Sequence, residues 1–490
     1  MAPLGEVDFA SLDPHRFDDL LSPEERDLLD TAVAGGARRI CGRRVWHVNS
    51  TARGGGVAEM LQTLLPYARG AGLDVRWLTI GGDDDFFRVT KRIHNNLHGG
   101  AGDGGDLGDE ERRVYEAVLG RDAIELSIRV EPDDVVVLED PQTAGLIPAL
   151  RMRGVTAVWR CHVGVDAPND LVHRARRFLH PYVDGANALV FSRRSYAWEG
   201  LDDGRLHVIP PCIDPFSTKN APMSKGMAAA VLAAAGLVDG GQGGPASACV
   251  AHPARVLEAA RPHTATPLVL QVSRWDRLKD PLGVLEGFVG HVAPHTDAHL
   301  LLAGPSVDGV ADDPEGLEVF SEVRERWERL ASPWRERVHL ASLSMRDPDE
   351  NARIVNALQT RADVVVQKSL AEGFGLTVTE AMWKGRPVVA SCVGGIADQV
   401  DNGASGVLID DPRDLPAFGS AVTALLRDRQ RARALGAAAH ERVRRDFLGW
   451  RHLVRYADLI TSVLGGAPGG GSSVNGVVPA HRTCARERSS

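Results

Sequence analysis

Lys368-Ser-Leu-Ala-Glu-Gly-Phe-Gly-Leu-Thr-Val-Thr-Glu-Ala-Met-Trp-Lys384, closed by Gly385, decides how the rest of the sequence is read. It follows the apolar run Ala362 to Val366, which predicts a buried strand. A helical pattern opens near Leu376 and stops at Gly385, a residue free to take the conformation that ends helices. Strand, glycine loop and helix N-terminus together leave backbone N–H groups open to an anion. Gly373 and Gly375 flank Phe374 and let a ligand approach the main chain closely. Glu372 sits in the loop and Glu380 about a turn into the helix, so both carboxylates can face a ligand at the strand's C-terminal end. A bare pair of glutamates near a helix start is more often two solvated charges; what decides is the company they keep.

A second feature lies earlier. The strand Leu268–Val272 runs directly into Ser273-Arg-Trp-Asp-Arg-Leu-Lys-Asp-Pro281. Arg274 and Lys279 thus fall in a strand-to-helix loop, where a planar guanidinium fork and a point-charge ammonium can neutralise a diphosphate. Alone, this would be a solvated loop with Asp280-Pro281 starting a helix. Two strand-end loops of one sheet, both carrying phosphate-suited groups, point to a phosphorylated ligand.

The first half repeats the strand, loop, helix unit. Val45-Trp-His-Val-Asn49 predicts a strand, Gly54-Gly55-Gly56 a tight turn, and Val57 to Gly70 a helix. The glycine spacing is not G-x-G-x-x-G, which argues against a dinucleotide fingerprint, and no G-x4-G-K-[ST] is present. Arg160 and His162 end the strand Ala157–Cys161, while Asp140 and Gln142 end the strand Val135–Leu138. Strand ends of such sheets line ligand clefts, although a structural hydrogen bond or a turn cap suits each of these residues too. His94 and His98 stand i, i+4 on a predicted helix, a metal-compatible spacing with no third ligand nearby.

Across the 490 residues, short apolar strands alternate with helix-length segments, which predicts parallel, helix-covered sheets. The rhythm breaks between 211 and 265 and then restarts. The expected architecture is α/β: two doubly wound, Rossmann-like domains with a ligand cleft between them. The boundaries are residues 1–213, a linker with an Ala/Gly-rich insertion at 214–263, and a second domain at 264–446. A final helix at 447–464 precedes a Gly/Ser/Pro-rich tail at 465–490, expected to be disordered. Hydrophobic content of 43% and charged content of 25% are ordinary for a globular protein. A net charge of −9 gives no support for nucleic-acid binding. Six scattered cysteines without a C-x-x-C pair read as reduced thiols of a cytoplasmic protein, with no membrane span or signal core.

Glu372-Gly-Phe-Gly-Leu-Thr-Val-Thr-Glu380 resembles the Glu-x7-Glu signature of retaining GT-B glycosyltransferases of family GT4, and Ser273 to Lys279 resembles that class's diphosphate loop. A narrower likeness comes from His47-Val-Asn-Ser-Thr-Ala-Arg-Gly-Gly-Gly-Val-Ala-Glu59, Thr90-Lys-Arg-Ile-His-Asn95, Asp140-Pro-Gln142, Trp159-Arg-Cys-His162 and Ile213-Asp-Pro215. These resemble the glycosyl-transferring trehalose synthases and the retaining trehalose phosphorylases. The resemblance implies an NDP-glucose donor held by the second, nucleotide-sugar-binding domain. Arg274 and Lys279 would hold the diphosphate, Glu372 the donor-sugar hydroxyls with Gly373, Phe374, Gly375 and Leu376 nearby, and Glu380 the ribose. His162 would lie against the transferred glucosyl. Gly54, Gly55, Gly56, Asp140, Gln142, Arg160 and Asp166 would shape the acceptor side. The final helix resembles the one that crosses back to the first domain. No cofactor beyond the donor is implied; Mg2+ is allowed without a metal motif, and so is a homodimer. Ala371 departs from the basic residue expected there. A phosphorylase, a transferase with another acceptor, and a silent sugar-binding protein stay open as alternatives.

Overall fold

The computed structural model describes residues 4–52, 55–239, 250–307 and 314–465. Its chain divides into two compact units, Met1–Cys212 with Phe447–Ser490, and Ile213–Asp446. Each unit is built on one seven-stranded sheet, as the alternating pattern predicts.

In the first unit the strands are β1 (Gly5–Glu6), β2 (Arg44–Asn49), β3 (Asp74–Thr79), β4 (Val135–Glu139), β5 (Thr156–Cys161), β6 (Ala188–Phe191) and β7 (Leu206–Val208). Their order is β1-β3-β2-β4-β5-β6-β7, with only β1 antiparallel. β4 and β6 are buried at every residue, which is why they read as unbroken apolar runs. The helix Pro23–Ile40 opens with a capping box: Ser22 Oγ accepts from Glu25 N–H, and the Glu25 carboxylate accepts from Ser22 N–H. It runs unbroken through Gly35 and Gly36 to Ile40. Gly36 is buried there, and a Cβ at that position would stand 3.5 Å from Ala457 Cβ on the helix Gly449–Gly465. That is ordinary van der Waals spacing, so an alanine would fit between the two helices there. The helix Asp109–Arg129 is held in its second half by buried Asp122 and Leu126, one turn apart.

The second unit holds β8 (Arg255–Leu257), β9 (Leu268–Val272), β10 (His299–Pro305), β11 (Val338–Leu343), β12 (Val364–Gln367), β13 (Val388–Ser391) and β14 (Val407–Ile409). The order is β14-β13-β12-β9-β10-β11-β8, with only β8 antiparallel. The described part of 214–263, expected as a linker with an insertion, is instead built into this unit. β8 pairs with β11, and the Ala-rich helix Lys225–Ala234 packs on the helix Pro348–Arg361. Alanine's helix propensity forms that element without an amphipathic pattern to announce it. Residues 240–249 and the tail 466–490 lie outside the described residues. Two helices close this unit, Leu415–Arg427 and Arg429–Asp446; Asp428 separates them and accepts from Arg431 N–H at 2.9 Å.

Both sheets reverse strand order at one place. In the first unit the chain passes from β2 out to β3, then returns to lay β4 on the other side of β2. In the second it passes from β9 to β10 and β11, then returns to lay β12 beside β9. Loops after strands that flank such a switch point diverge and leave a crevice at their C-terminal ends. The loop leaving β9 carries Arg274 and Lys279, and the loop leaving β12 carries Glu372 and leads into the helix Leu376–Trp383 that carries Glu380. Among the described residues no helix is long and apolar enough to cross a membrane.

Candidate active site

Two struts join the loops after β9 and β12. Leu370 N–H donates to Leu278 C=O at 2.8 Å. The Lys368 ammonium, 1% exposed, meets the Asp280 carboxylate and donates to Pro412 C=O at 2.8 Å. Asp280 takes a left-handed conformation (φ 49°) and caps the helix Pro281–His291 through Gly283 N–H at 3.0 Å. The turn carrying Lys279 is therefore fixed on both sides. Breaking one half of a buried ion pair costs about 3–5 kcal/mol. Lys368→Met is expected to fall near about 3 kcal/mol, because Asp280 keeps some solvent contact. The unfolding midpoint of this unit in urea reads it; a loss under about 1 kcal/mol would show that the strut does not hold the loops.

Lys279 Nζ stands 2.6 Å from each oxygen of Glu372, and Ser369 Oγ donates to Glu372 Oε2 at 3.2 Å. The sequence separates these two residues, Lys279 toward a diphosphate and Glu372 toward a sugar; the structure makes them partners across the switch point. Arg274 lies at the rim, its side chain 62% exposed, with Nη2 2.8 Å from Asp276 Oδ2. Gly375 takes φ 89°, which only glycine adopts without strain, and delivers the chain into the helix Leu376–Trp383. No side chain caps that helix, and Phe374 beside it is buried. Glu380, further along it, is 2% exposed; its carboxylate meets Gln359 and Lys219.

In the first unit, β2 and β4 flank the switch point and place His47 and Glu139 side by side. Glu139 is fully buried. His47 Nδ1 stands 3.1 Å from its Oε1 and His162 Nε2 2.9 Å from its Oε2. Burial by itself would raise this acid. The hydrogen bonds from His162 and His47 and the charge of Arg160 outweigh it and hold the carboxyl well below the usual carboxylate range. An ionised carboxylate only accepts, so each imidazole carries a proton on the nitrogen facing Glu139. In neutral His162 that leaves Nδ1 as an acceptor for a hydroxyl.

Asp140 follows in a positive-φ conformation (63°), its Oδ1 accepting from His162 N–H at 2.8 Å and its carbonyl from Trp159 Nε1 at 3.0 Å. This strained residue fixes His162 from a second direction. Gln142 Oε1 and His94 Nδ1 are buried without a hydrogen-bond partner. Burial pushes the His94 imidazole down to about 4; His98, 4.9 Å away ring to ring, pushes the same way and Asp140 opposes. Among the described residues no group of three or more His, Cys, Asp or Glu is arranged to hold a metal. Asp166 accepts from Arg193 Nη1 at 2.5 Å and Ser195 Oγ at 3.0 Å. Gly55 takes φ 82° before the helix Gly56–Gly70, and Gly54 lies outside the described residues.

Arg160 corrects the expectation of an acceptor-side residue: none of it is exposed. Its Nη1 donates to Tyr456 OH at 2.5 Å and lies 3.0 Å from His452 Nε2, and its Nη2 donates to Ile209 C=O at 3.3 Å. It is the pin between β5 and the helix Gly449–Gly465. His47, Glu139, Lys368, Lys219 and Gln359 carry no role in the sequence reading, and Asp280 carries only that of starting a helix, which it does as the cap of Pro281–His291. The available signal was a charge closing an apolar run, as in Val135-Val-Val-Leu-Glu139 and Val364-Val-Val-Gln-Lys368.

Residues 47–198 match the family model described as trehalose synthase, N-terminal domain, and residues 258–442 match glycosyl transferases group 1. The trehalose synthase of Rubrobacter xylanophilus is 37% identical over 445 residues, covering 88% of this chain and 92% of that protein. The trehalose phosphorylase of Pleurotus pulmonarius is 26% identical over 394 residues, covering 74% of this chain and 50% of that protein. Among solved structures, the UDP-forming α,α-trehalose-phosphate synthase of Burkholderia xenovorans superposes with a TM-score of 0.62 at 16% identity, covering 86% of this chain and 98% of that one. The last likeness shows a shared two-domain GT-B fold.

Proposed function

The chain belongs to the trehalose synthase family and is a hexosyltransferase of trehalose-related glycosyl transfer; from that premise we propose that it moves glucose from an NDP-glucose to glucose with retention, giving α,α-trehalose. The observation that carries the reading is the Lys279–Glu372 pair at the switch point, beside exposed Arg274. In the unliganded protein the carboxylate neutralises Lys279. A donor's diphosphate takes over the ammonium, with Arg274 beside it, and frees Glu372 to accept from hydroxyls of the donor glucose. The N–H groups of Gly373 to Leu376 lie near, and Glu380 takes the ribose. His162, held by Glu139 and Asp140, rests against the transferred glucosyl. Gly54, Gly55, Gly56, Asp140, Gln142 and Asp166 shape the acceptor side, with Arg160 stabilising the scaffold behind them.

The proposed step breaks the bond from the anomeric carbon to the diphosphate and forms one from the same carbon to the acceptor's anomeric oxygen on the same face. The acceptor's proton goes to the leaving phosphate oxygen. No enzyme nucleophile is needed; the protein positions the sugars and stabilises leaving-group charge. No cofactor beyond the donor enters the proposal.

Incubating the purified chain with glucose and UDP-, ADP- or GDP-glucose, and separately with trehalose and phosphate, tests it. Trehalose formed from at least one nucleotide sugar is expected. Trehalose cleavage that needs phosphate, with no nucleotide-dependent synthesis, would favour the phosphorylase reading.

A further inference from the structure

Glu380 lies on the second turn of the helix Leu376–Trp383, with 3% of its side chain exposed. A carboxylate offers about four acceptor positions, two on each oxygen. Gln359 Nε2 donates to Oε2 at 3.2 Å, and Lys219 Nζ stands 3.4 Å from Oε1. One protein partner thus sits on each oxygen.

The turn that brings Lys219 there is held at several points. Asn356 Nδ2 donates to Thr218 C=O at 3.0 Å and to Ala221 C=O at 2.9 Å. Trp383 Nε1 donates to Asn220 C=O at 3.0 Å, and Asn220 Nδ2 donates back to Asp214 C=O at 3.1 Å. A second amine is near, Lys384, at the C-terminal end of the same helix. It donates to Asn220 Oδ1 at 3.2 Å and to the Glu380 main-chain oxygen at 3.4 Å, not to the carboxylate. Burial pushes Lys384 down to about 8, against the pull of Glu380 and with a further push from Lys219. The ammonium that meets the Glu380 carboxylate is therefore that of Lys219.

We propose that Lys219 is a positioning residue for the donor: with Gln359 it turns the Glu380 carboxylate so that each oxygen keeps one acceptor position for a vicinal diol, which makes the enzyme select donors bearing both ribose hydroxyls. The proposal rests on the assignment of Glu380 to the ribose. Lys219 acts through Glu380 and touches no reacting atom.

The test compares the NDP-glucose that the wild-type enzyme uses best with its 2′-deoxyribose counterpart. Wild type is expected to show a KM about tenfold higher for the deoxy donor, the cost of one hydrogen bond to a charged group. In Lys219→Met the KM for the ribose donor rises about tenfold, kcat falls no more than about twofold, and the deoxy-to-ribose KM ratio drops toward one. Lys219→Arg, which keeps a cation on the turn, restores most of the ratio. A merely structural lysine would lower stability or kcat and leave that ratio as in wild type; an unchanged ratio in Lys219→Met overturns the proposal. If wild type shows no preference for ribose and Glu380→Gln leaves the donor KM unaltered, the ribose assignment falls and the proposal with it, while glycosyl transfer itself stands.

Discussion

Lys279→Ala lowers kcat/KM for the nucleotide-sugar donor about 10³-fold, the largest loss expected of any single substitution outside the fold's core. Departure of a nucleoside diphosphate puts negative charge on its terminal phosphate, and an ammonium already fixed there needs no reorganisation as that charge develops. A factor of 10³ is about 4 kcal/mol of barrier, the size expected when one preorganised donor is lost. The geometry fixes the turn that carries Lys279 before a donor binds: the loop is tied by Leu370 to Leu278 and by Lys368 to Asp280. Truncation also leaves Glu372, whose side chain is 9% exposed, without its counter-charge when no donor is bound. Lys279→Arg restores little, because a planar fork replaces a point charge in a site shaped for one atom. Steady-state kinetics with saturating glucose read the effect, and a loss below about tenfold would remove Lys279 from the leaving-group site.

Glu139→Gln is the second. It costs about 3 kcal/mol of stability and most of the activity, because one neutral amide replaces a buried charge that serves three groups. The glutamine oxygen can accept from His47 or His162, and its NH2 then confronts the other imidazole's N–H. Arg160, with no solvent contact, loses its nearby counter-charge. His162 turns out of position, so kcat falls even where the protein stays folded. The pH dependence has a definite sign. The Glu139 carboxyl is held below its ordinary value of 4.5 in the folded state, so its contribution is complete above that value and is lost as pH falls below it. The gap in thermal midpoint between wild type and Glu139→Gln is therefore constant from pH 8 to about 6 and narrows below about 4.5. A gap independent of pH down to 3.5 would show that the ionised carboxylate is not what stabilises the site.

Strand positions were legible and partnerships were not, for one physical reason. Strands buried on both faces spell themselves as apolar runs, so β9 falls at Leu268–Val272 as the pattern predicts, and β12 overlaps the run Ala362 to Val366. The loops after β9 and β12 were legible too, because their chemistry is local: a cation pair after one strand, a glycine loop with carboxylates after the other. Sheet order has no such local trace, and order is what turns those loops into one site. The contacts Lys368–Asp280 and His47–Glu139 join residues 88 and 92 positions apart, and nothing in either stretch names the other. The Ala-rich helix Lys225–Ala234 was hidden because apolar residues from Met227 to Ala234 leave no polar face to mark a period. Arg160 was read by position alone, at a strand end, and the helix that buries it lies almost 300 residues later.

The most direct measurement is product identification by proton NMR after the chain is given an NDP-glucose labelled with 13C at the anomeric carbon, together with unlabelled glucose. The account predicts one disaccharide, α,α-trehalose, with the label in an α-configured glucosyl unit and one nucleoside diphosphate released per disaccharide. A β-configured label, free labelled glucose as the main product, or disaccharide formed only when glucose 1-phosphate replaces the nucleotide sugar, with inorganic phosphate released, would contradict it.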